Sequence, residues 1–398
     1  MDVMERIRKA QFLRYFLLKY PEFYLKMREC EHAYSAVRLN PFHLENDLWT
    51  HTVLVFNSLR LINDSDMCPE KEVVNKALLI AALTHDWGKL ATRAKDDTKC
   101  RVSFYSHATA STQFTIDVAG EIYKNDPDKE KIIYYAAFVV SRHMDAYQIF
   151  SPTVKELNPF SVFKFCNYNV NLIHCLDRLL EADENGQITN VEEEEKKDPA
   201  FRKQLFSEAV KIAGLEMKDP GEYDLEIFMC SGAPGSGKDT IARRNNAIIL
   251  SYDNIRIIDY LTSRDSDKSK TMPEIYSDAW RWVRSNGIEV EDRLQEELKV
   301  ISGDKSGRHI YICNVLSTSN VRKRMINKIK QTLKNKRVKV TAVHVSASRA
   351  TMEVRDLSRN EKHVGADVIS GICGNISIPS CYEGFDSVTF VWNEGDNV

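Results

Sequence analysis

The stretch Leu225–Thr240, LEIFMCSGAPGSGKDT, constrains this chain more than any other. Leu225, Ile227, Phe228 and Met229 read as a short buried strand, Gly232–Lys238 as a glycine-rich turn, and the pattern turns helical from Thr240. Glycines at this spacing let the backbone approach phosphate oxygens and point N–H groups at them. Lys238 at the close of the turn would reach the β and γ phosphates of a nucleoside triphosphate. The chain beyond the loop reads as one nucleotide-using domain, and the chain before it as a separate unit with different chemistry.

A chain of 398 residues exceeds one ordinary core, so two domains are expected. Strands suggested at 225–231, 247–251, 308–313, 338–346 and 388–392 alternate with helical segments, which implies a parallel α/β sheet over 223–398. Residues 1–195 carry few strand signals and helical stretches near 4–19, 48–62, 72–86, 107–124, 129–143 and 160–183, an all-α pattern. Residues 196–222 read as a linker. The acidic run Glu192–Glu195, most simply a solvated face, leads into Lys196-Lys197. A break at Asp198-Pro199, a short amphipathic helix around Ala200–Leu215 and a turn at Asp219-Pro220-Gly221 complete the connection.

Composition narrows the setting. No run of about 18 apolar residues occurs, and the amphipathic start MDVMERIRKAQFLRYF has no cleavage-site pattern, so neither a membrane span nor a secretory signal is expected. Nine cysteines scattered without C-x-x-C spacing suit free thiols in a reducing cytoplasm. A net charge of −2 leaves the question of nucleic acid to local patches. Residues 321–340 form one, with nine Lys or Arg and no acid. On a helix Ile326, Ile329 and Leu333 would be buried, while Lys323, Lys330, Lys334 and Arg337 would cluster along a phosphate backbone or simply face solvent.

Seven of the ten histidines lie before residue 175 and none between 175 and 308. His85 follows Leu78, Ala81 and Ala82 at i−7, i−4 and i−3, and His143 follows Ala136, Val139 and Val140 at the same offsets. His51 precedes Leu54 and Val55, and Asp177 sits between Ile173 and Leu180. An unpaired buried charge costs several kcal/mol, so a carboxylate and three imidazoles on apolar faces of four helices point to a bound metal. Asp86 adjoins His85, and the pair reaches one ion only near a helix end. Trp87-Gly88-Lys89 supplies that ending.

In the second half, IILSYDNIR (Ile248–Arg256) reads as a buried strand ending near Asp253. Asp253 would take a proton from an acceptor hydroxyl and Arg256 would clamp a phosphate, or the two would form an i,i+3 ion pair at a helix start. Arg355 and Arg359 share one side of a helix, as a lid over the triphosphate or as partners of Glu353 and Asp356.

The order His51 … His85-Asp86 … Asp177, with LTHDWGK (Leu83–Lys89), resembles the HD phosphohydrolase superfamily across roughly residues 35–185. The resemblance implies a helical fold in which His51, His85, Asp86 and Asp177 hold a first divalent metal. His107, in FYSHATAS, and His143, in VSRHMD, match the extra histidines of two-metal subfamilies, with Asp86 bridging. Imidazole and carboxylate together suit Mn²⁺, Fe²⁺, Co²⁺, Ni²⁺ or Zn²⁺ better than Mg²⁺. Lys89 is the candidate for a substrate phosphate, or else a solvated lysine at a helix end.

GAPGSGKDT, Asp253-x-x-Arg256, HIYICN, Arg355-x-x-x-Arg359 and Pro379 … Glu383-x-x-Asp386 together resemble the P-loop 5′-hydroxyl polynucleotide kinases. By that resemblance Gly232, Gly235, Ser236, Gly237, Lys238, Asp239, Thr240 and Arg355 bind ATP or another NTP with Mg²⁺. Asp253 is then the general base, Arg256 meets the acceptor's 3′ phosphate, and Arg359 is the catalytic lid residue. Two departures stand out. Asp239 occupies the place of a metal-ligating Ser or Thr, and Asn314 stands where the phage enzyme has Asp. Asp239 is expected to take over part of the metal positioning.

Both resemblances in one chain suggest a bifunctional RNA end-healing protein. One half would remove a 2′,3′-cyclic or terminal phosphate. The other would phosphorylate a 5′-hydroxyl for sealing by a separate RNA ligase. A nucleotide phosphohydrolase fused to a nucleoside or metabolite kinase, and a nucleic-acid-binding scaffold with one domain catalytically silent, fit the same residues.

Overall fold

Helical periodicity in the first half becomes α1 (Val3–Lys19), α2 (Pro21–Glu29), α3 (Leu48–Ser58), α4 (Lys71–Thr84), α5 (Lys89–Thr92), α6 (His107–Ile122), α7 (Lys129–Ile149), α8 (Pro159–Phe165), α9 (Val170–Gly186) and α10 (Pro199–Ala213). A short antiparallel hairpin, β1 (Ala94–Asp96) and β2 (Arg101–Ser103), separates α5 from α6. The computed structural model describes residues 3–190, 199–213, 221–263, 270–303, 309–359 and 363–395. The acidic run Glu192–Glu195 with Lys196-Lys197 and Asp198, and the Asp219-Pro220 turn, lie outside the described residues. The chain divides into two compact units, residues 1–217 with 373–378, and residues 218–372 with 379–398.

In the first unit α4 is buried from Val73 to Thr84 at every position but Lys76, and it packs against α3, α6, α7 and α9. A helix apolar on all sides belongs at the centre of a bundle. Its end is set by Gly88, although not as the left-handed break expected there, since its φ is −61°. A Cβ at Gly88 would lie 2.1 Å from the His107 carbonyl oxygen. The Gly88 amide instead donates to Ser111 Oγ at 2.8 Å. Glycine therefore lets the turn after α4 touch the first turn of α6, which draws His85 and Asp86 toward His107.

The single helix expected over 160–183 is broken. Asn167 and Tyr168 take φ of 55° and 57°, and Asn169 caps α9 by accepting from the Asn171 amide. Helix α2, started by Pro21 in its first turn, and the β1–β2 hairpin are not expected from periodicity, being short and mostly polar.

The second half contains strands β3 (Leu225–Ser231), β4 (Ile248–Leu250), β5 (Ile310–Cys313), β6 (Val338–Ser346) and β7 (Ser387–Trp392). Helices α11 (Lys238–Arg244), α12 (Tyr252–Ser263), α13 (Met272–Ser285), α14 (Val290–Ile301), α15 (Ser319–Thr332), α16 (Arg349–Leu357) and α17 (Ala366–Cys373) alternate with them. All four pairings are parallel and the order is β4-β5-β3-β6-β7. Near-continuous apolar runs are what a parallel sheet covered by helices requires. Ile227, Met229, Ile310, Ile312, Val340 and Ala342 pack against Leu294, Leu298, Ile326 and Ile329 of α14 and α15. After β3 the chain runs to one side of it, and from β6 it occupies the other. The carboxyl end of β3 is thus the switch point at which open α/β sheets bind ligands.

Candidate functional site

In the first unit His51 Nε2 lies 3.2 Å from Asp183 Oδ1 and 3.3 Å from Asp86 Oδ2. His85 Nε2 lies 3.5 Å from Asp86 Oδ2 and 3.7 Å from Asp183 Oδ1. The other Asp86 oxygen, Oδ1, is 3.1 Å from His107 Nε2 and 4.0 Å from His143 Nε2. Ligand atoms of His51, His85 and Asp183, and likewise of Asp86, His107 and His143, lie within 4.8 Å of one another, and all six residues are buried.

The tautomers follow from the opposite ring atoms. Nδ1 of His107, His143 and His85 faces the carbonyl oxygens of Phe104, Val140 and Ala82 at 2.7, 2.8 and 3.2 Å. An N–H facing a carbonyl oxygen donates to it, which turns each Nε2 into the cluster. His107 Nε2 and His143 Nε2 are 3.3 Å apart. The Nε2 atoms of His51 and His85 have no hydrogen-bond partner among the described residues. Burial pushes the Asp86 carboxyl up, but Lys89, His85, His107 and His51 outweigh it and hold it well below the ordinary range. Burial is likewise outweighed at Asp183, by His51 and His85. Burial lowers His143 to about 3, with His107 and His85 adding to the effect, which keeps that imidazole neutral. Two ionised carboxylates and converging imidazole nitrogens fit divalent transition metals, with Asp86 turning one oxygen toward His51 and His85 and the other toward His107 and His143.

Asp177, expected among the ligands, is not in this cluster. It lies among Arg178, Glu181, Arg202 and Lys203, and burial raises its carboxyl to about 6 against the pull of Arg178. Asp183 takes the place instead, six residues further along α9. The signal was present in the sequence, because Asp183 follows Leu176, Leu179 and Leu180 at i−7, i−4 and i−3. Those are the offsets that mark His85 and His143. Its second oxygen accepts from the Tyr147 hydroxyl at 3.0 Å. Glu45 was also missed. Its Oε1 lies 3.0 Å from His51 Nδ1 and 2.7 Å from His43 Nδ1, and its Oε2 accepts from the Ile188 amide at 3.1 Å. A carboxylate behind a ligating imidazole fixes its tautomer and orientation. Lys89 is no solvated lysine: it is buried, with Nζ 2.7 Å from Asp86 Oδ2 and 3.5 Å from His32 Nε2.

In the second unit Gly232, Gly235 and Gly237 take φ of 144°, 82° and 95°. A Cβ on Gly237 would lie 2.1 Å from Asn393 Nδ2, which donates to the Ser236 carbonyl at 2.8 Å. Lys238 opens α11, and its Nζ donates to the Gly232 and Ala233 carbonyls at 2.8 and 3.0 Å, across the loop. Ser236 Oγ is buried with no hydrogen-bond partner among the described residues. Asp239 and Thr240 lie in the first turn of α11, and Asp239 opposes the downward push of burial on Lys238.

Asp253 lies in the first turn of α12 and accepts from Arg256 Nη1 at 2.9 Å, the ion-pair geometry. Asn314, just beyond β5, accepts from the Tyr252 amide at 3.0 Å and so pins the start of α12 to the sheet. Arg355 reaches the Gly235 carbonyl at 3.3 Å. Glu353 pairs with Arg349, while Asp356 takes His363 and the Val364 and Gly365 amides, so among the described residues neither holds Arg355. Helix α16 ends at Leu357, which puts Arg359 beyond it and not on its face, yet near enough to Lys238 to lower that amine further.

Arg322, Arg324, Lys328 and Lys339 of the basic stretch are committed to structure. Arg322 is fully buried and donates to both oxygens of Glu383 at 2.6 and 2.8 Å. Arg324 and Lys328 face Glu291, and Lys339 faces Glu226. Ile326, Ile329 and Leu333 are buried, while Lys330 and Lys334 border an open depression with Asn327 and Gln331.

No protein-family model and no curated protein matches the chain. Among solved structures it is similar to a gluconokinase from Sinorhizobium meliloti 1021, at 13% identity and a TM-score of 0.25, over 44% of this chain and 86% of that one. At that level the likeness assigns no substrate. No helix among the described residues is long and apolar enough to cross a membrane.

Proposed function

We propose that this chain heals RNA ends, with an HD-type phosphohydrolase in the first unit and a polynucleotide 5′-hydroxyl kinase in the second. The observation that carries the reading is the convergence of buried donor atoms on the Asp86 carboxylate in a chain that also holds a glycine loop at its sheet's switch point. His51, His85 and Asp183 would hold one divalent transition metal, and Asp86, His107 and His143 a second. When bound, such ions lower the pKa of water and stabilise charge on a phosphoester. Lys89, buried against Asp86, would neutralise a phosphate oxygen brought to the cluster.

In the second unit the loop amides would receive ATP or another NTP, with Lys238 on the distal phosphates and Asp239 and Thr240 placed toward Mg²⁺. Arg355 and Arg359 would spread positive charge over the transferring group. Asp253 would accept the proton of the 5′-hydroxyl, with Arg256 holding that carboxylate and the acceptor's phosphate.

The test is RNA cut by a ribonuclease that leaves 2′,3′-cyclic phosphate and 5′-hydroxyl ends, incubated with purified protein, Mn²⁺ or Ni²⁺ and ATP. Both ends should become competent for a separate RNA ligase. Healing of neither end defeats the proposal. Phosphorylation of mononucleosides or metabolites in preference to oligonucleotides would assign the kinase to small molecules instead.

A further inference from the structure

Helix α13 carries two tryptophans with different surroundings. Trp282 packs with Tyr260, Ile275 and Ala279 in the contact between α12 and α13. Trp280 is 45% exposed. The Arg256 guanidinium lies 3.7 Å from its ring centroid and 5.8 Å from that of Tyr252. The same guanidinium donates to Asp253, while its Nε is buried with no hydrogen-bond partner among the described residues. Tyr276, one turn before Trp280, interacts with both the indole and Asp253, and burial with Asp253 beside it raises its hydroxyl above the ordinary value.

The indole is capped on one face by a guanidinium and still leaves 45% of its surface open to solvent. The capping arginine is bound to the candidate base, so a group stacked on Trp280 would sit beside the hydroxyl that Asp253 serves. Aromatic and guanidinium planes beside an arginine with spare donors are the combination that holds unpaired nucleobases and their phosphates.

We propose that Trp280 is the stacking platform for the terminal base of a single-stranded nucleic-acid acceptor, with Arg256 locked beneath it to meet the adjoining phosphate. This rests on the kinase reading above and adds a determinant of acceptor class to it: an acceptor without a base forfeits the platform.

The test uses the full-length protein, Trp280→Ala and Trp280→Phe. Binding to a labelled single-stranded 5′-hydroxyl oligoribonucleotide is read by anisotropy, and KM for phosphorylation is measured alongside. The same oligonucleotide with an abasic 5′-terminal residue is the control. Trp280→Ala should weaken binding and raise KM for the intact oligonucleotide by roughly 5- to 150-fold, the range for loss of one base–aromatic stack. It should leave KM for ATP unchanged, Trp280→Phe should retain most of the affinity, and the abasic oligonucleotide should scarcely distinguish the three proteins. Equal affinities for wild type and Trp280→Ala, or an equal loss on the abasic end, overturn the platform. A wild type that binds no oligonucleotide overturns both platform and kinase reading. Trp280-dependent binding without phosphate transfer keeps the platform and removes only the kinase.

Discussion

Asp177→Asn and Asp183→Asn should have opposite consequences, although both remove one carboxylate from the same helix. Asp177 is half-buried, with its folded-state value raised from 3.8 to about 6 by burial. Its contribution is favourable to folding only as the neutral acid, complete below about pH 4 and lost as the pH rises through 6. A shift of about two units at 1.36 kcal/mol each makes the ionised form cost about 3 kcal/mol at neutral pH, an upper bound because Arg178, Arg202 and solvent screen it. Asp177→Asn should therefore raise the first unfolding transition at pH 7.5, with the gain vanishing near pH 4, and should leave bound metal unchanged. Asp183→Asn removes a carboxylate held 3.2 Å from His51 and should release metal from the His51–His85 side. Metal content by elemental analysis, with urea titrations at the two pH values, reads both effects. Loss of metal from Asp177→Asn with full retention in Asp183→Asn would refute the ligand assignment.

Three further changes test neighbouring claims. Glu45→Ala should weaken metal binding about 10- to 100-fold by freeing the His51 ring, with Glu45→Gln milder, as measured by competition with a metallochromic chelator. Gly237→Ala should weaken nucleotide binding, measured by calorimetry, because its φ of 95° strains any Cβ and the 2.1 Å approach would push the Asn393 amide off the Ser236 carbonyl. Glu383→Ala should destabilise the second unit by about 3–5 kcal/mol in denaturant titrations, since it strands the buried Arg322, and an unchanged midpoint would contradict that pairing.

Elements with strong periodicity were legible from the sequence. The strand expected at 338–346 is observed with those bounds, and the glycine loop lies between β3 and α11 as its spacing implies. His51, His85, Asp86, His107 and His143 meet because the apolar offsets that mark them also fix which face each helix buries. Asp177 misled because two apolar neighbours place a residue on a stripe's flank as readily as at its centre. Asp183 has three, and it is the residue that reaches the histidines. Glu45 had no periodic signal, since it lies on an irregular segment before α3 and its role depends on the Ile188 amide far along the chain. The basic run was legible only in part. Charge is visible in sequence, but Glu383, Glu291 and Glu226, the partners of Arg322, Arg324 and Lys339, come from elsewhere in the chain.

The donors of the first unit are dispersed along the chain: His51 on α3, His85 and Asp86 past α4, His107 on α6, His143 on α7 and Asp183 on α9. Any ion held there is a cross-link closing loops of tens of residues, and the His51–His85–Asp183 triad cannot close until α9 has been synthesised and docked. Occupancy thus reports that the bundle is complete. At a free ion concentration of about a thousand times Kd, such a ligand adds about 4 kcal/mol to the folded state. Under the proposed metal binding, starvation for the ion would remove that stabilisation and leave the bundle more open to unfolding and proteolysis.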